Sequence, residues 1–305
     1  MHPNHERSRC GVGFRIVGAL AALLIATQPS VAGPLQVLVP AYFYPAGNPN
    51  YWDEMTTAAR IIDLTAILNP ASGPGTSADP NYVNAVNNLH AAGGHVVGYV
   101  FTDYGNRSES AVEADIRSYI SFYKIDGIFL DQQSTDTTKV GYYAGLYNFI
   151  KNQNPSYQVI ANPGTNTNEA YLSTPTADVL VTFENTASNY PGATPAPWTS
   201  NYSANHFANL IHTEPTVAGM AADLLLAQQR NVGWVFVTDA GLPNPYDRLP
   251  SYWDQEVALI AGVPEPSSVW LLATGALVLL GRRRTRKWRC PPASSCNQSN
   301  GREIS

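Results

Sequence analysis

The chain has 305 residues and a formal net charge of −5, but that charge is unevenly placed: residues 33–262 hold 8 Lys and Arg against 20 Asp and Glu, a net of −12. So acidic a segment disfavours nucleic acid and anionic polymers as partners and suits a neutral or cationic one. The three cysteines, Cys10, Cys290 and Cys296, all lie outside it, which excludes a disulfide framework that a core of this size does not need.

Met1 to Ala32 reads as a signal peptide for signal peptidase. Arg7, Arg9 and Arg15 form a basic start, Ile16 to Ala26 an apolar stretch, and Ser30-Val31-Ala32 a small-residue cleavage site. As a membrane anchor the apolar stretch is short of the roughly 20 residues that span a bilayer. Gln36–Tyr44 is the first strand, and Trp52–Arg60 a short helix. Ile61–Asn69 is the second strand, ended by the turn-rich Pro70–Gly75. Asp79–Ala92 places Val83, Val86 and Leu89 at helical spacing and stops at Gly93-Gly94. His95–Thr102 is the third strand, followed by a helix from Ser108, its cap, to Tyr123.

The fourth strand, Ile125–Gln133, organises the rest. Ile125, Ile128, Phe129 and Leu130 form an apolar run too short for a helix; Gly127 permits close packing, and Asp131 stands where a parallel strand leaves the core. A carboxylate is costly in an apolar interior, so it is either paired or placed at a strand mouth that opens on a site. A tyrosine-rich helix, Thr137–Asn152, precedes the fifth strand, Tyr157–Asn162, and a short helix spans Asn166–Ser173. The sixth strand, Asp178–Asn185, repeats the pattern of the fourth and delivers Glu184. A long proline-containing loop, Ala187–Tyr202, leads to strand seven, His206–His212. The helix Pro215–Arg230, strand eight, Gly233–Asp239, and a closing helix, Tyr252–Ala261, complete the alternation.

Eight strands alternating with helices predict a single (β/α)8 TIM-type barrel over residues 33–262. A doubly wound sheet is the alternative. It requires a glycine-rich nucleotide fingerprint at the first turn, where Pro45-Ala46-Gly47-Asn48 stands instead.

After the barrel, residues 263–288 combine Pro264-Glu265-Pro266, an apolar run from Val269 to Leu280, and the basic group Arg282, Arg283, Arg284, Arg286 and Lys287. These three features in this order resemble the PEP-CTERM sorting signal of Gram-negative bacteria. The resemblance implies recognition by an exosortase, transient inner-membrane anchoring through a transmembrane helix, delivery to the cell surface or medium, and an association with exopolysaccharide. A plain C-terminal anchor is the simpler alternative. The polar tail 289–305 departs from the usual pattern.

In a barrel, chemistry sits at the C-terminal ends of the strands. Here those ends offer Tyr42, Tyr44, Asn69, Tyr99, Tyr104, Asp131, Gln132, Asn162, Glu184, His212, Thr238 and Asp239. The set has no metal-ligand spacing, no nucleophile elbow and no phosphate loop, so no metal or cofactor is expected. Two carboxylates surrounded by amides and tyrosines are what glycoside hydrolysis needs. Glu184 follows an apolar run, so burial is expected to raise its pKa and suit it to general acid/base work. Asp131 is then the nucleophile, or orients an acetamido group.

Pro40-Ala41-Tyr42-Phe43-Tyr44, Leu68-Asn69-Pro70-Ala71-Ser72-Gly73-Pro74-Gly75, Gly98-Tyr99-Val100, Gly127–Asp131, Asn162-Pro163-Gly164, Phe183-Glu184 and Phe236–Asp239 together resemble the spherulin-4-like family. The resemblance implies a (β/α)8 glycoside hydrolase acting on polymers that contain α-1,4-linked galactosamine or N-acetylgalactosamine. Asp131 and Glu184 match that family's catalytic pair. Its Asp-Glu motif on strand four is Asp131-Gln132 here, and an amide neither donates a catalytic proton nor attacks as a nucleophile. The expected substrate is a polysaccharide bound by a monomer; a non-catalytic polysaccharide-binding barrel is the alternative.

Export predicts a mature chain that begins after Ala32. Mass spectrometry of material recovered outside the cytoplasm checks this, and an intact N-terminus there contradicts it.

Overall fold

The computed structural model describes residues 34–262. The segments expected to be a signal peptide, a sorting signal with a transmembrane helix, and a polar tail lie outside the described residues. Among the described residues, no helix is long and apolar enough to cross a membrane.

Eight parallel strands close into a barrel in sequence order: β1 Gln36–Ala41, β2 Leu64–Leu68, β3 His95–Phe101, β4 Gly127–Asp131, β5 Gln158–Ala161, β6 Val179–Thr186, β7 Phe207–His212 and β8 Trp234–Val237. Closure of β8 onto β1, through Gln36 with Trp234 and Val37 with Val235, excludes the doubly wound sheet. The strands are continuous apolar runs because both faces are covered: side chains fill the interior, and helices pack outside. The helices are α1 Tyr51–Ala58, α2 Pro80–Ala91, α3 Glu109–Phe122, α4 Val140–Gln153, α5 Ala170–Ser173, α6 Val217–Gln229 and α7 Trp253–Gly262. Their starts follow local chemistry. Asp79 accepts from the Asn81 N–H to cap α2, and Ser108 accepts from the Ala111 N–H to cap α3. Gly127 is required by the close approach of β5, since a β-carbon there would lie 2.1 Å from the Gln158 carbonyl oxygen.

Several elements are shorter than the sequence predicts. A tight turn from the Tyr42 N–H to the Pro40 carbonyl ends β1, which leaves Tyr42 and Tyr44 beyond it. Of the helix predicted over 166–173 only the last turn forms: the Asn166 side chain donates to the Thr194 carbonyl of a neighbouring loop, and Asn168 Oδ1 accepts from Ala170 N, where the helix begins. The unit after β6 has no α-helix. Three 3₁₀ turns occupy 187–206, where Pro191, Pro195 and Pro197 lack the N–H groups a helix needs. A cavity of about 290 Å³ lies beside that segment, lined in part by Phe183, Asn185, Tyr190 and Arg230.

β1 and β8 part above Val37 and Val235, which leaves the Val237 N–H without a strand partner on that side. Glu256 of α7 fills the gap: its Oε1 accepts from Val237 N at 3.0 Å, and its Oε2 is buried with no partner. Burial pushes the Glu256 carboxyl up to about 8, against the lowering effect of the Val237 bond. The folded state therefore holds this proton more tightly than the unfolded chain. The associated stability is complete below the ordinary glutamate range and is lost as pH rises toward 8. Denaturant melts of the wild type should weaken over that interval. Glu256→Gln, which keeps the acceptor, should remove roughly 2–4 kcal/mol of that pH dependence; equal slopes in the two proteins would contradict this.

Candidate active site

Asp131 ends β4 and shares its inward face with Phe129, two residues earlier. Glu184 lies on β6 just after a bulge. Between Val181 and Phe183 the register with β7 shifts by one residue, so Thr182 is extra and re-phases the strand before the glutamate. Between β4 and β6 runs β5, and Asn162 follows its last residue. The Asn162 N–H bonds to the Leu130 carbonyl and its carbonyl accepts from Gln133 N, which fixes it beside Asp131. From there its side-chain Nδ2 donates to Asp131 Oδ1 at 2.8 Å and to Glu184 Oε2 at 2.7 Å. Both contacts are to carboxylate oxygens, so the nitrogen, with two hydrogens, is the atom that must face them. The two accepting oxygens are consequently no more than 5.5 Å apart.

The outer oxygen of each carboxylate is held by a phenol. Tyr99 donates to Asp131 Oδ2 at 2.7 Å, and Tyr246 donates to Glu184 Oε1 at 2.7 Å. Tyr42 stands between the phenols, its ring edge-on to Tyr99 and to Tyr246 at 5.6 Å each. Among the described residues neither carboxylate has a cationic partner. Burial is the main reason the Glu184 carboxyl is raised, as the sequence led us to expect; the nearby charge of Asp131 adds to it, and the bonds from Asn162 and Tyr246 oppose it. Burial beside these acids also holds Tyr42, Tyr99 and Tyr246 above the ordinary phenol range, so they stay protonated as donors. Gly164, at φ +65°, turns the chain after Asn162, and its carbonyl accepts from Glu184 N at 2.9 Å.

The structure thus gathers Tyr42, Tyr99, Asp131, Asn162 and Glu184, and sets the other predicted residues around or apart from them. Gln132 follows Asp131 in a left-handed conformation, φ +53°. Its carbonyl accepts from Tyr104 N at 2.8 Å and from the Thr102 hydroxyl at 2.9 Å. Tyr104, also left-handed, is 56% exposed on the turn after β3. Tyr44 is 49% exposed and tied to the start of α2, donating to Asp79 Oδ2 and accepting from Asn81 Nδ2. Asn69 accepts from Gly73 N and closes its own turn. His212 is buried at the end of β7 against the Thr213 hydroxyl, and burial lowers its pKa. Thr238 is buried, its hydroxyl accepting from Ala240 N. Asp239 is paired with Arg248 at 2.7 Å; burial acts to raise its carboxyl, but the bonds from Arg248 and Ser251 hold it below the usual range. Sequence reasoning passed over Tyr246, which lies in an irregular segment after β8 with neither periodicity nor a motif to mark it.

Residues 36–260 match the sequence profile of Spherulation-specific family 4, and residues 262–284 match that of the PEP-CTERM protein-sorting motif. Spherulin-4 of Physarum polycephalum is 36% identical over 242 residues, covering 74% of this chain and 70% of that protein. The crystal structure of Aspergillus clavatus Sph3 in complex with GalNAc superposes with a TM-score of 0.66 at 28% identity, covering 75% of this chain and 99% of that one.

If Asn162 is what allows two half-buried carboxylates to lie this close, Asn162→Ala should cost roughly 2–4 kcal/mol near neutral pH, the scale of two hydrogen bonds to charged groups. The loss should shrink in acid, where protonated carboxyls repel less. Denaturant melts at the two pH values check the sign.

Proposed function

The chain belongs to the spherulin-4 family, and from that premise we propose that its exported barrel is a glycoside hydrolase acting on an amino-sugar polysaccharide of the α-1,4-galactosamine or N-acetylgalactosamine type. The observation that carries this reading is the single amide of Asn162 joining Asp131 to Glu184. The inner oxygens of the pair lie no more than 5.5 Å apart, a close approach that supports the double displacement of retaining glycosidases, whose carboxyl groups are roughly 5–5.5 Å apart. The GalNAc bound by Sph3 supports an N-acetylgalactosamine unit as the sugar recognised.

In this mechanism Glu184 gives its proton to the glycosidic oxygen as the bond from that oxygen to the anomeric carbon breaks. An Asp131 oxygen supplies the electron pair that bonds the anomeric carbon and forms a glycosyl ester. Glu184, now ionised, takes a proton from water; the hydroxyl oxygen attacks the anomeric carbon and the ester bond breaks, returning Asp131 as carboxylate. Gln132 has no step to perform, because Glu184 supplies the acid that its place in the family motif suggests. Tyr104 and Tyr44, exposed beside the mouth, suit stacking on successive sugar rings.

Release of reducing ends from N-acetylated and de-N-acetylated α-1,4-galactosaminan tests the activity. Asp131→Asn and Glu184→Gln should each lower the rate by at least about 10²-fold while the protein stays folded. Because burial raises the Glu184 carboxyl, the alkaline limb of kcat/KM should fall above the ordinary glutamate range. Gln132→Glu should retain activity and move the pH profile upward, since a further carboxylate disfavours ionisation of its neighbours. Polymer binding without release in the wild type would replace this reading with a polysaccharide-binding barrel.

A further inference from the structure

The four hydrogen bonds to the carboxylate pair are not equivalent, and the difference assigns the acid's proton to one oxygen. An amide N–H only donates. Glu184 Oε2, which accepts from Asn162 Nδ2 at 2.7 Å, must keep a lone pair directed at that nitrogen in every protonation state. A protonated carboxyl oxygen is a poor acceptor, because its remaining electrons are drawn into the carbonyl. A proton on Oε2 would therefore weaken the bond that holds the two acids together.

Oε1 has a different partner. The Tyr246 hydroxyl, 2.7 Å away, both donates and accepts. It donates to Oε1 when Glu184 is ionised, and it tolerates a proton on Oε1 by rotating its own. A residue that must alternate between acid and base needs one oxygen with such a partner. Tyr246 is built to hold its position. It is 5% exposed, its ring is edge-on to Tyr42 at 88°, its carbonyl accepts from Tyr42 N at 3.2 Å, and its N–H donates to Asn244 Oδ1 at 3.1 Å. The Asp131 side is arranged alike, with Oδ1 committed to Asn162 and Oδ2 to the Tyr99 phenol.

We propose that Tyr246 is a positioning residue for Glu184: with Asn162 committing Oε2 to accept, Tyr246 makes Oε1 the oxygen that carries and delivers the proton. The delivery rests on the hydrolase reading above; the placement of the proton does not. No co-reactant is needed, since the proton passes only between Oε1 and the substrate or water oxygen.

The test reads Glu184 directly. Protein labelled with ¹³C at the glutamate carboxyl is titrated by NMR, with the Glu184 signal identified by its loss in Glu184→Gln. Tyr246→Phe keeps the ring and removes a donor to the ionised form, so the Glu184 midpoint should rise by about one pH unit. Tyr99→Phe, which touches Asp131 instead, should leave that midpoint within about 0.3. The alkaline limb of kcat/KM should follow the midpoint in Tyr246→Phe and stay in place in Tyr99→Phe. A Glu184 midpoint unmoved by Tyr246→Phe overturns the proposal, whether or not the protein hydrolyses a polymer. A moved midpoint in a protein without hydrolysis keeps the proton placement and removes the enzyme reading. Should Tyr246→Phe fail to fold, the wild type labelled at the tyrosine ring carbon bearing oxygen decides: a tyrosine signal that steps at the Glu184 midpoint supports the proposal, and its absence overturns it.

Discussion

One amide nitrogen between two half-buried carboxylates is the constraint on which this mouth depends. Without a shared donor, like charges at this separation would repel more strongly. With it, Asp131 and Glu184 share a neutral bridge while each keeps a phenol on its outer oxygen. The bridge needs Asn162 just beyond the strand between them, which only closure in the order β4, β5, β6 supplies.

The same chain shows how its other acids are treated. At the opposite end of the barrel, Asp126 accepts from His90 and from Val96 N; burial acts to raise its carboxyl, and these bonds hold it below the usual range. Asp178 accepts from Lys151, Tyr147 and Val159 N. Asp239 lies at the same C-terminal end of the strands as the pair but is bound by Arg248. Each of these carboxylates has a cation or histidine and ties two parts of the fold together. Among the described residues, Asp131 and Glu184 have neutral donors alone, which leaves their charge available to a substrate. With so few basic residues in an acidic domain, most acids have no cation; the fully buried Glu256 is one of them, held by the Val237 N–H.

The neutral donors also shape the electrostatics. A lysine or arginine in the place of Asn162 would lower both carboxyls and deprive Glu184 of the raised pKa an acid needs. An amide lowers Glu184 less than burial raises it. The tyrosines act in the same sense, and burial beside the acids holds their own protons in place. Placing Tyr246 on the segment after β8 and Tyr99 on β3 brings donors to the pair from both sides of the barrel.

The alternation of eight apolar runs with helical patterns determined the barrel, because strands covered on both faces must be apolar throughout and their lengths exclude helices. The run ending at Asp131 and the run ending at Glu184 were legible for the same reason: a carboxylate at the end of a buried strand is a local fact. So were the caps at Asp79 and Ser108 and the close packing at Gly127. Partners were not local. Asn162 reaches Glu184 across 22 residues and Tyr246 reaches it across 62, and both contacts depend on strand order, on register and on the bulge at Thr182. Asp239 and Glu184 look alike in sequence, each an acid at the end of an apolar run; Arg248 neutralises one, and among the described residues nothing cationic reaches the other. Local propensity sets where a strand ends, but which side chain meets its carboxylate is decided by closure, since a shift of one residue in register turns every side chain to the other face.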